Sequence, residues 1–126
     1  MAEPRLRISA TVLGTPDPPG LGEFYSRLLG WEFTWSEPEW VMIKPPGGGT
    51  GLSFQLEATH IPPVWPQVPD EQQMMMHLDI SVDDLAAGVA RAESLGARQA
   101  TFQPQDNVRV LLDPAGHPFC LFIEGT

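Results

Sequence analysis

Two alternating segments carry the side chains best suited to chemistry. From Met74 to Val82, the residues Met75, His77, Asp79 and Ser81 fall on one face of an extended strand. Met74, Met76, Leu78, Ile80 and Val82 fall on the other. From Gly51 to Ala58, Ser53, Gln55 and Glu57 oppose Leu52, Phe54 and Leu56 in the same way. An imidazole on such a polar face can ligate a metal, take a proton, or orient a bound molecule through hydrogen bonds. His77 is the only candidate general base, and the sequence offers no obvious carboxylate to tune it. The plainer reading, an inward histidine satisfied by Gln55 or by water, stays open beside these. Cys120 has no basic neighbour in sequence to lower its pKa, so it reads as a small buried hydrophobe.

Tryptophan is the second chemical signal. Four occur in 126 residues, and Trp35, Trp40 and Trp65 sit at hairpin or linker positions where core packing does not demand them. They suit the wall of a pocket for a flat or cationic molecule. Trp65, wedged among prolines, equally suits a subunit interface.

The elements that must position these residues follow from periodicity. Residues 5–13 alternate with period two, placing Leu6, Ile8, Ala10 and Val12 on one face and Arg7, Ser9 and Thr11 on the other. Asp17 is a candidate N-cap with Pro18 at the first helical position. Leu21, Phe24, Tyr25, Leu28 and Leu29 form one apolar helical stripe, which Gly30 terminates. A hairpin is expected over Trp31–Trp35 and Trp40–Lys44, then a glycine-rich connector at 45–49 and the strand at 51–58. A phosphate-cradling role for those glycines is disfavoured here, because a strand rather than a helix follows them. Pro62, Pro63, Pro66 and Pro69 exclude a central strand or helix over 59–73, which reads as a linker. Residues 74–124 then repeat the plan. Asp83 is the expected cap of a helix that Gly96 ends, and strands follow at about 98–103, 107–112 and 118–123. The Asp-to-Gly spacing is the same in both halves (30 − 17 = 13; 96 − 83 = 13), an offset of 66 between them.

The chain thus reads as one α+β domain over residues 1–126, built of two tandem βαβββ modules at about 5–58 and 74–124. Sixteen acidic against seven basic residues give a net charge of −9, with one lysine, which excludes nucleic acid as a partner. No apolar stretch reaches membrane-spanning length. The N-terminus shows no export signal, and a single cysteine forms no internal disulfide; both point to the cytoplasm.

The order of these elements, with Phe24-Tyr25 and Leu28-Leu29-Gly30-Trp31, resembles the vicinal-oxygen-chelate superfamily. That group includes glyoxalase I, the bleomycin-resistance proteins and the extradiol dioxygenases. His77 to Leu85 is similar to its second-module opening, and Asp113-Pro114-Ala115-Gly116-His117-Pro118-Phe119 to its closing turn. The resemblance implies curved half-barrel sheets around a shared cleft. It also implies metal ligands, His or Gln and Glu, on the first and last strands of each module. Carried across, those positions fall at Thr11, Gln55, His77 and Cys120, so one strong ligand remains and both carboxylates are gone. No metal or other cofactor is therefore favoured. If a divalent metal is present, His77 and Gln55 hold it. The expected protein is a homodimeric, metal-independent small-molecule binder of the bleomycin-resistance type. Trp35, Trp40 and Trp65 would contact an aromatic or apolar ligand, and Thr11, Gln55, Glu57, His77 and Cys120 would complete the site. The alternative is a divalent-metal-dependent lyase, isomerase or dioxygenase with a reduced ligand set.

Overall fold

The computed structural model describes residues 3–124. Five elements make the first half: β1 (Ala10–Thr15), α1 (Pro18–Leu29), β2 (Glu32–Glu37), β3 (Trp40–Lys44) and β4 (Gly51–Leu56). Five more make the second: β5 (Leu78–Ser81), α2 (Leu85–Ser94), β6 (Arg98–Gln99), β7 (Val108–Leu112) and β8 (Pro118–Phe122). This is βαβββ twice. The chain divides into two compact units, Met1–Ala58 and Thr59–Thr126.

In the first unit the strand order is β1-β4-β3-β2. The outer strand β1 runs parallel to β4, and the other pairs are antiparallel. A parallel neighbour needs a long crossover, which α1 and the β2–β3 hairpin supply. Asp17 caps α1 by accepting from the Gly20 amide at 3.1 Å. Gly30, left-handed at φ 73°, donates back to the Ser26 carbonyl. One helix face buries Leu21, Phe24 and Tyr25 against Val41, Ile43, Leu52 and Phe54 of the sheet. The Tyr25 and Phe54 rings stack with centroids 5.8 Å apart. Gly22 permits this close approach, since a Cβ there would lie 2.7 Å from Val41 Cγ1.

The second unit repeats the topology as β5-β8-β7-β6, with Val89 and Ala92 of α2 buried together with Leu111, Phe119 and Leu121. Its helix starts later than the spacing predicts. Asp84, not Asp83, is the cap, accepting from the Ala87 amide at 3.0 Å. The cause is strand pairing. Val82 still donates to the Phe122 carbonyl at 2.8 Å, so the chain cannot leave the sheet before that point.

Strand ends are also set by partners. The alternating run at 5–13 becomes a strand only from Ala10, because β4 begins at Gly51 and Gly51 pairs with Ala10. Leu6 and Ile8 are consequently 90% and 75% exposed. The proline-rich segment belongs to the second unit. His60 Nε2 lies 2.8 Å from the Ala115 carbonyl, and Val64 donates to Gln72.

Candidate functional site

In the second unit, β5 and β8 place Asp79 directly beside Cys120. Both lie on the sheet face away from the buried Phe119 and Leu121. His77, two residues before Asp79, shares that face, and its Nε2 stands 3.0 Å from Asp79 Oδ1. The partner carboxylate that the sequence seemed to lack is therefore Asp79. These groups open onto a cavity of about 440 Å³, whose polar lining is His77, Asp79, Cys120, Gln105 and Asn107. Val108, Phe122 and Ile123 provide its apolar wall.

Two side chains hold the rim. Gln103 accepts from the Val110 amide and donates to the carbonyls of Val110 and Ala100, clamping the loop before β7. Arg109 Nη1 donates to the carbonyls of Gln105, Asp106 and Val108, at 3.1, 2.9 and 2.9 Å, fixing the turn that presents Gln105 and Asn107. Gln105 and Asn107 lie in a loop without periodicity, so no sequence pattern marks them.

Burial pushes the Cys120 thiol up from 9.0 to about 11, and the charge and hydrogen bond of Asp79 add to the shift. At neutral pH Cys120 is a protonated donor toward Asp79. One ligand atom from each of His77, Asp79 and Cys120 lies within 4.8 Å of the others. That N, O and S donor set suits a borderline cation such as zinc better than a hard one.

The face of the first sheet away from α1 is different in character. Register places Trp35, Met42, Ser53 and Val12 in one row across it, and Glu37, Trp40, Gln55 and Gly14 in the next. Trp35 and Val12 are 53% and 47% exposed. Gln55 Nε2 donates to Glu57 Oε1 at 2.6 Å. Trp65 lies in the second unit, where its indole N–H donates to the Phe102 carbonyl at 3.1 Å.

The glyoxalase-like domain is matched across residues 10–122, nearly the whole chain. The chain belongs to the glyoxalase-like domain family. This places it in the vicinal-oxygen-chelate superfamily. No curated protein matches it. Among solved structures, a glyoxalase/bleomycin resistance protein/dioxygenase family enzyme from Burkholderia phytofirmans PsJN is 18% identical with TM-score 0.66, covering 90% of this chain and 94% of that one. The bleomycin resistance determinant encoded on transposon Tn5 is 17% identical with TM-score 0.61, covering 96% and 100%. TnmS3, an antibiotic binding protein from Streptomyces sp. CB03234, is 18% identical with TM-score 0.60, covering 97% and 98%. At these identities the likeness concerns the fold.

Within this glyoxalase-like domain the helix N-caps and the parallel strand ladders repeat at an offset of 67. The helix caps give 84 − 17 = 67. The strand pairs agree: Leu78↔Phe119 corresponds to Thr11↔Leu52, and Asp79↔Cys120 to Val12↔Ser53. Thr11 is thus the counterpart of Leu78 and shares the helix-covered face with Leu52, so it does not answer to His77. Ala10 does. Likewise Ser53, not Gln55, is the counterpart of Cys120, while Gln55 answers to Phe122. The four corresponding positions hold Ala10, Ser53, His77 and Cys120. The first module supplies no strong metal ligand among them.

Proposed function

We propose that this glyoxalase-like protein is a small-molecule binder that works without a resident metal. The observation that carries the reading is the open cavity of about 440 Å³ with a mixed lining, in which Cys120 stands where the resemblance expects a carboxylate. Its apolar wall of Val108, Phe122 and Ile123 suits an aromatic or apolar body. His77, Asp79, Gln105 and Asn107 fix orientation by hydrogen bonds. Within the first unit, Trp35 and Trp40 present flat apolar surface of their own on the sheet, and in the second unit Trp65 is an aromatic contact in this reading. Gln55 and Glu57 supply polar contacts beside Trp40. The related antibiotic binding protein and bleomycin resistance determinant lend the reading support.

The protein is further read as a cytoplasmic homodimer, which light scattering on the purified chain checks. No helix among the described residues is long and apolar enough to cross a membrane.

The test is a tryptophan-fluorescence and calorimetric screen of aromatic and apolar molecules against chelator-treated protein. Saturable binding that survives chelation, and that weakens in His77→Ala and Trp40→Ala, supports the proposal. Stoichiometric metal in protein purified without chelator, with binding or turnover lost on its removal, overturns it.

A second reading is favoured by the approach of His77, Asp79 and Cys120 within 4.8 Å. In that reading these three hold a divalent cation for a lyase, isomerase or dioxygenase reaction, and the cation supplies Lewis-acid chemistry. Metal content that falls to background in His77→Ala supports this second reading; unchanged content rejects His77 as a ligand.

A further inference from the structure

We propose a second, separate site in the first unit: a cavity that binds the phosphate group of a small phosphate-bearing molecule. Arg7, Ser9, Lys44, Gly48, Gly49 and Thr50 line a cavity of about 310 Å³. It lies at the end of the sheet where β1 and β4 begin and β3 ends.

Its walls are fixed. The Gly51 amide donates to the Ser9 carbonyl at 3.0 Å, and Thr50 Oγ1 donates to the Ile8 carbonyl at 3.2 Å. These bonds tie the glycine loop to the segment that carries Arg7. A third bond, from the Gly48 amide to the Pro45 carbonyl at 3.1 Å, closes the turn.

The chemistry is cationic in a chain whose net charge is −9. Lys44 is the only lysine, and neither it nor Arg7 makes an ion pair among the described residues. Glu32 stands opposite Lys44 on β2 and is the acidic group placed to compete. The lysine stem leans the other way: its Cγ is 3.0 Å from where a Cβ on Gly51 of β4 would sit. Glycine at 51 leaves that stem room on the β4 side, and Lys44 lines the cavity.

Backbone donors complete the site. Gly47, Gly48 and Gly49 all have positive φ, at 82°, 93° and 110°, and no side chain stands between their peptides and a ligand. The amides of Gly49 and Thr50 enter none of the hydrogen bonds among the described residues. A guanidinium, an ammonium and unpaired amides around one cavity match the charge and acceptor count of a phosphate. The glycine-run reading from sequence misses this, because one of the two cations, Arg7, is brought to the loop only by the fold.

The experiment is an amide chemical-shift titration of the full chain with inorganic phosphate, phenyl phosphate, acetate and chloride at matched ionic strength. Saturable shifts at Ser9, Gly48, Gly49 and Thr50 with phosphate are expected. Arg7→Ala and Lys44→Ala should each weaken binding roughly tenfold, and Arg7→Lys should retain most of it. Tighter binding of phenyl phosphate assigns the site to a phosphomonoester; equal binding assigns it to free phosphate. Equal shifts with acetate or chloride overturn the proposal. So does an Arg7→Ala, Lys44→Ala double variant whose phosphate affinity stays within about twofold of the parent.

Discussion

Iodoacetamide should alkylate Cys120, the chain's only cysteine, about tenfold more slowly at pH 7 than an ordinary exposed cysteine. The magnitude follows from the cavity. Burial and Asp79 move the thiol from 9.0 to about 11, so its thiolate population at neutral pH falls about a hundredfold. The more basic thiolate is a better nucleophile. A Brønsted slope of about 0.4–0.5 restores roughly six- to tenfold of that loss, leaving a net slowing of about 10–16-fold before any steric effect. Asp79→Asn separates the causes. It removes the charge while leaving the burial, which is the largest contribution. The midpoint of the pH–rate profile should therefore fall below about 11 but stay above 9.0. Mass spectrometry of timed alkylation from neutral to strongly alkaline pH gives both profiles. A parent midpoint at or below 9.0, or an Asp79→Asn profile superimposable on the parent, refutes the electrostatic account of the cavity.

Three further outcomes are expected. Folded Cys120 holds its proton to about 11 and an unfolded cysteine to 9.0, so between those values the unfolded chain binds fewer protons and stability falls as pH rises; urea unfolding should show this alkaline decline, flattened in Cys120→Ala. Asp84→Ala should cost about 1 kcal/mol through the lost helix cap, while Asp83→Ala should change stability by less than about 0.5 kcal/mol, both read from urea midpoints. Asp113 is 4% exposed and its Oδ1 accepts from the amides of Ala115 and His117, so Asp113→Ala should destabilise by about 3 kcal/mol and loosen the turn, seen as faster hydrogen exchange at both amides.

How far the sequence reaches can be seen residue by residue. Helix α1 is legible because its signals are local: the Asp17 cap, the Leu21–Phe24–Tyr25 stripe and the Gly30 stop each act within a few residues. The β2–β3 hairpin and the Asp113–Gly116 turn are legible for the same reason. Strand limits are not, because a strand ends where its partner does. Residues 5–9 alternate like a strand but find no partner before Gly51. The expected strand at 98–103 shrinks to Arg98–Gln99, since register with β7 covers only those two residues. Trp65 shows a further limit. Its indole N–H goes to the Phe102 carbonyl, a partner 37 residues away that no local pattern identifies.

The site assignment turned on a single residue of phase. A strand exposes alternate residues, so an offset wrong by one exchanges its two faces. Counting from Asp83 selects Thr11, on the face that α1 covers. Counting from Asp84, the observed cap, selects Ala10 and carries the same offset of 67 through every pair of the parallel ladders. The one-residue difference comes from Val82 remaining bonded to Phe122, a tertiary constraint acting beside two adjacent aspartates that are equally good caps in isolation. With the phase corrected, Ala10 replaces Thr11 at the position corresponding to His77, and the ladder register separately puts Ser53, two residues from Gln55 on the same face, opposite Cys120 in the repeat. The polar chemistry at these positions is then confined to one module. In that module His77, Asp79 and Cys120 bring ligand atoms within 4.8 Å of one another, and a cation held there would displace the Cys120 proton. The lack of a strong metal ligand at Ala10 and Ser53 is what motivates our proposal of hydrogen-bonded ligand binding at the cavity ahead of catalysis at a metal.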